Sequence, residues 1–242
     1  MRFSEDARDA HTDLDLDAFE HDLERVGEEL EPEIVRTKDD LAGLVCFMAR
    51  SLAQCCLRRN RELGVSFVDS FNRGLTVPLF VSARAILETA CVAHDLARRI
   101  ERLIERPTES QTRALADHLM SATFGCKTGV LIGDPELHRM PNVLTLIDKV
   151  SEGSLAPLRT WYDGLSEFAH PNFMGMHHLF ETYSEDETVV VFAEDPFRMS
   201  EARVEMAVVN ADLGLRMTLL GWLSLGSCED PLRAALGSVR SD

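Results

Sequence analysis

The chain has 242 residues, 45% of them hydrophobic, enough to bury one sizeable core, and no low-complexity linker divides it. Its formal charge of −16 is unevenly placed: Met1 to Asp40 carries 15 acids against 5 bases, a net of −10, which leaves −6 for everything after. That balance disfavours non-specific binding to phosphate backbones or anionic membranes, because counterion release needs a cationic surface. The six cysteines form no C-x-x-C pair and the acidic start is unlike a secretory signal, so a reduced, cytoplasmic protein is expected, its thiols acting as small buried hydrophobes.

In chain order, Leu16, Phe19, Leu23, Val26 and Leu30 step by three and four, which predicts an amphipathic helix within an acidic arm over residues 1–35. Residues 36–242 then read as the bundle domain. Its first helix is expected from Asp39 to about Gly64, with Thr37 and Asp40 as a capping box and Arg58, Arg59 and Arg61 before the glycine favouring the negative helix end. The strongest pattern runs from Pro78 to Glu105 through Leu79, Ala83, Ile86, Ala90, Ala93, Ala97, Ile100 and Ile104, and Pro107 closes it. A helix to about Phe124, a Gly- and Pro-punctuated loop and a short helix after Pro141 follow. Ala156 to His170 forms the next helix, since Pro171 biases His170 out of the helical region.

Beyond it, the β-branched and aromatic runs Met176 to Tyr183 and Thr188 to Ala193, split by Ser-Glu-Asp-Glu, predict a hairpin at about residues 176–193. Ser200 is placed to cap a last long helix, with Val208, Val209, Leu213, Leu220, Trp222 and Leu223 in the core and Gly214 and Gly221 allowing a neighbouring helix close. Its uncharged stretch, Met217 to Cys228, is shorter than the about 20 residues a bilayer requires, so no membrane partner is expected. The fold class is therefore mostly α: a single-domain helical bundle of seven or eight helices with one inserted β-hairpin.

The candidate chemistry lies on the Ala156 to His170 helix. Leu158, Trp161, Leu165 and Phe168 form its core stripe, and Tyr162, Ser166 and His170, at i, i+4 and i+8, lie beside it at the border with solvent. Arg84 and Glu88 are spaced for an ion pair on the long helix, on a face shared with Phe80, Leu87 and Cys91. Together these residues make either a polar network that fixes packing or a site with a proton carrier and a cation. A metal reading draws on Glu167 and His170 with His177, His178 and Glu181, but it lacks the second E-x-x-H of di-metal bundles.

Arg84-Ala-Ile-Leu-Glu88 followed by Tyr162-x-x-Leu-Ser166-x-x-x-His170-Pro-Asn172 resembles a group of bacterial helical proteins that carry an R-x-x-x-E helix and a Y-x-x-L-S-x-x-x-H-P segment, over about Pro78 to Phe197. More distantly, the all-helical plan is similar to the HEPN superfamily. Many of its members are metal-independent ribonucleases of toxin or phage-defence systems, using an arginine and a histidine four to six residues apart at a dimer interface. The resemblance implies RNA as substrate, a homodimer, no cofactor and no metal. It implies a site drawn from His170, Arg84, Glu88, Tyr162, Ser166 and Asn172. The one spacing match to the superfamily pair is Arg113-Ala-Leu-Ala-Asp-His118, where Ala114 replaces a residue that is usually polar. Arg98, Arg99, Arg102 and Arg106 would make a local positive strip, or a solvated helix end. Two readings of a different class stand beside the enzyme: an interaction module whose acidic N-terminal helix docks a basic or apolar partner, and a metal-binding bundle.

Overall fold

The computed structural model describes residues 1–36, 40–124, 142–152, 155–172, 174–176, 181–183, 190–192 and 201–239. The chain is mostly helical, as its periodicity predicts. The elements are α1 (Glu5–Ala10), α2 (Leu16–Glu28), α3 (Leu41–Asn72), α4 (Thr76–Glu105), α5 (Glu109–Phe124), α6 (Val143–Ser151), α7 (Leu158–Ala169), β1 (Glu181–Tyr183), β2 (Val190–Phe192) and α8 (Glu201–Ser238).

Helix α4 is the centre of the bundle, packed by α3, α6, α7 and α8. Leu79, Ala83, Ile86, Ala90, Ala93, Ala97 and Ile100 are all buried, so the three-four rhythm is realised along nearly its full length. It is long and apolar enough to cross a bilayer by composition, yet a buried core helix meets the same description. Its alanines and the glycines of α8 let two backbones approach. A Cβ on Gly214 would sit 2.7 Å from Ile86 Cγ2 and 3.3 Å from the Ile86 carbonyl, and one on Gly221 would sit 3.1 Å from the Ala93 carbonyl oxygen. At that crossing Asn60 of α3, fully buried, donates to the Ile86 carbonyl at 3.2 Å and to Thr218 Oγ1 at 2.7 Å. Three helices are thereby tied through one amide.

Five expectations are corrected. Helix α3 does not stop at Gly64 but continues to Asn72. Gly64 instead makes room for α2, since a Cβ there would lie 2.4 Å from Leu23 Cδ1. The helix ends at Gly74, whose φ of 62° is free of the Cβ penalty; Gly74 N–H bonds the Phe71 carbonyl at 3.0 Å and Leu75 N–H the Ser70 carbonyl at 2.8 Å, the Schellman pattern. The arginines taken for end signals work sideways: Arg58 donates to the Glu31 carbonyl and Arg59 Nε to Thr89 Oγ1 at 3.0 Å.

The acidic arm contains two helices rather than one, and its apolar residues belong to the main core. Phe3, Phe19, Phe67 and Phe71 form an aromatic cluster, with Phe3 and Phe71 centroids 4.9 Å apart. On α8, Val208 and Trp222 are buried as expected, but Val209, Leu220 and Leu223 face outward. The inserted hairpin is not supported as an element of the fold. Only three-residue segments pair, antiparallel with Thr182 opposite Val191, while the rest of residues 177–193 lie outside the described residues.

The capping of α3 rests on Asp40, which accepts from Gly43 N–H at 2.6 Å; Thr37 lies outside the described residues, as do Ser200, Cys126 and the loop over 125–141. Of the other thiols, Cys46, Cys56 and Cys91 are buried as expected, Cys228 is half-buried, and Cys55 is exposed.

Candidate functional site

The site is assembled where α7 crosses α4. Phe80, one turn before Arg84, stacks on Phe168 at 4.7 Å between centroids and an interplanar angle of 23°, which sets the end of α7 over the Arg84 turn. Gly164 allows α8 in from the other side, since a Cβ there would meet Met206 Sδ at 3.0 Å. The stripe along α7 grades from core to solvent: Tyr162 is 2% exposed, Ser166 is half-buried and His170 is exposed. Trp161, expected in the core, is the half-buried one. The helix is rotated so that Tyr162 takes the inward position and carries its hydroxyl to α4.

Four of the predicted residues meet. Arg84 Nε donates to Glu88 Oε1 at 2.9 Å and to Tyr162 Oη at 3.1 Å, and Arg84 Nη2 donates to the same hydroxyl at 2.9 Å. Tyr162 O–H in turn donates to Glu88 Oε1 at 2.8 Å, and the guanidinium carbon lies 5.2 Å from the Tyr162 ring centroid. The third edge of the guanidinium, Nη1, stands 3.0 Å from His170 Nε2. Because an arginine can only donate, Nε2 is the acceptor in this contact and the imidazole proton resides on Nδ1. Burial, reinforced by the Glu88 carboxylate, pushes the Tyr162 phenol above its ordinary value, so it stays protonated and able to donate.

Ser166 and Asn172 stand outside this network. Ser166 Oγ is buried without a hydrogen-bond partner among the described residues. Asn172 shapes the turn after α7: its amide nitrogen donates to Glu167 at 2.8 Å, its side-chain oxygen accepts from Gly175 N–H at 2.9 Å, and its own N–H bonds the His170 carbonyl at 2.8 Å. Gly175, which the sequence reading passed over, is needed in that turn. A Cβ there would stand 1.9 Å from the His170 carbonyl oxygen. The H-P-N segment therefore fixes the backbone of His170, while α4 fixes its ring.

The alternative pair is not brought together. Arg113 is exposed beside Glu109 at 3.6 Å, whereas His118 is buried with Nε2 3.7 Å from Asp95 Oδ2. The arginine strip at the end of α4 is largely answered: Arg98 pairs with Glu101 at 3.1 Å, Arg99 with Asp95 at 2.7 Å, and Arg102 bonds the Arg98 carbonyl at 3.0 Å. Among the described residues no group of three or more His, Cys, Asp or Glu side chains could hold a metal ion; His177, His178 and the side chain of Glu181 lie outside them. No family model matches the chain, and no curated protein or solved structure matches it.

Proposed function

We propose that the chain is a metal-independent endoribonuclease of the HEPN-like helical kind, serving a bacterial defence or toxin-type system. His170 is its proton-transfer group and Arg84 its anion stabiliser. The observation that carries this reading is the way Arg84 is held. Tyr162 and Glu88 occupy its Nε and Nη2 edge, and Nη1 is presented to an exposed imidazole at 3.0 Å.

In the reaction an RNA phosphate takes the Nη1 edge, releasing the Nε2 lone pair. That lone pair accepts the proton of the 2′-hydroxyl as the 2′-oxygen attacks phosphorus and the 5′-oxygen leaves, taking its proton from water, after which the imidazolium returns its proton to solvent. Arginine supplies the positive charge that the phosphorane requires, and histidine the exchangeable proton near neutral pH. The products are a cyclic phosphate and a 5′-hydroxyl. The chemistry requires the 2′-hydroxyl, so an RNA oligonucleotide incubated with chelator should be cut while its fully 2′-O-methylated counterpart is not. Cleavage of both, or of neither, removes the proposal.

A second reading, an interaction module, is favoured by the exposed acids Glu5, Asp6, Asp9, Asp13, Glu24 and Glu28 on the N-terminal helices and their connection. The apolar face of this arm is already buried in the protein's own core, so the surface it offers suits a basic partner rather than an apolar one. Removal of residues 1–31 would expose core as well as delete charge. Charge reversal at Glu24 and Glu28 is the cleaner test, and unchanged capture of a basic partner would sink the idea.

A further inference from the structure

On the far side of Glu88 a cavity of about 390 Å³ opens between α3, α4, α5 and α6. Its size is within the range in which proteins hold small organic molecules. Leu52, Val92, Val143 and Leu146 give it apolar walls, and its polar lining is Arg59, Glu88, Thr89, His118 and Cys55. Two of these groups have a defined electrostatic state. Glu88 has its charge answered by Arg84. Arg59 spends Nε on Thr89 Oγ1 and has no carboxylate partner among the described residues, so the lining carries one uncompensated positive charge. His118 closes part of the wall: it is 6% exposed, and its Nε2, 3.7 Å from Asp95 Oδ2, lies out of reach of solvent.

We infer that this cavity is a binding site for a small apolar organic acid, its anionic head paired with Arg59 and its body against Leu52, Val92, Val143 and Leu146. The site is separate from the Arg84–His170 edge and does not depend on the ribonuclease reading.

Cys55 is the exposed thiol on its wall, so occupancy is read as protection of Cys55 from iodoacetamide, followed peptide by peptide by mass spectrometry. Salicylate and salicylamide share ring and hydroxyl and differ in charge. At millimolar concentration salicylate should slow Cys55 alkylation several-fold and salicylamide should not. Arg59→Gln should abolish the protection and Arg59→Lys should retain part of it. No protection by salicylate, equal protection by the amide, or protection that survives Arg59→Gln would overturn the inference. The two-compound comparison on the unaltered chain decides it even if the glutamine variant does not fold.

Discussion

Replacing Tyr162 with phenylalanine removes a hydroxyl that accepts from Arg84 at 3.1 and 2.9 Å and donates to Glu88 at 2.8 Å, while leaving the buried ring in place. Hydrogen bonds to charged groups contribute about 1.5–3 kcal/mol each. These three share one oxygen, and Arg84 and Glu88 remain joined directly at 2.9 Å and about a quarter exposed, so they do not sum. The expected loss is about 2 kcal/mol, or about 4–8 °C in Tm for a chain of this size. Urea denaturation of Tyr162→Phe, Arg84→Met and the double variant should give a coupling energy above about 1 kcal/mol. The phenol adds a pH signature. Its folded pKa lies above the ordinary value of 10, so its contribution is complete below pH 10 and is lost as pH rises through the folded value. The gap between the natural chain and Tyr162→Phe must then narrow in alkali. A loss below about 0.5 kcal/mol with no coupling would mean that the four side chains merely lie near one another.

The remaining predictions concern the frame around the site. Burial lowers the His118 imidazole from 6.5 to about 4, so the folded chain loses about 3 kcal/mol as pH falls from 6.5 through 4, and His118→Gln should flatten the acid limb of a stability profile against pH. Burial raises the Asp212 carboxyl from 3.8 to about 6 despite Arg216 at 2.9 Å, and stability declines as pH rises through that window. With Arg216 half exposed the penalty is screened, so Asp212→Asn should gain about 1 kcal/mol at pH 8 and nothing at pH 3.5, measured by thermal unfolding. Gly214→Ala forces a methyl to within 2.7 Å of Ile86 and should cost about 1–3 kcal/mol, whereas Gly226→Ala, with open space around it, should be neutral or slightly stabilising.

Much of the frame is legible from the chain because helical periodicity is local. The α4 stripe, the Arg84–Glu88 spacing and the termination of α7 at His170 each depend on residues within a few turns. What failed depended on distant partners. Gly64 reads as a helix end until Leu23, 41 positions earlier, is seen to occupy the space its missing side chain leaves. The choice of Tyr162 over Trp161 for the interior follows from a hydroxyl finding Arg84 and Glu88, 78 and 74 positions away. Proximity of Arg84 to His170 across 86 positions has no local signal at all, and neither does the joining of Arg59, His118 and Cys55 around one cavity. Gly175 could have been suspected, since a glycine shortly after H-P-N is well suited to a tight turn.

In the proposed reaction His170, with its lone pair held at Nε2 by Arg84, moves the proton in RNA cleavage. Single-turnover cleavage of an RNA oligonucleotide in the presence of chelator, compared between the natural chain and His170→Ala, tests it most directly. Cyclic-phosphate products and a fall of about 10²–10⁴-fold in rate in the variant are expected; equal rates in the two proteins, or no cleavage by either, would refute the role of His170.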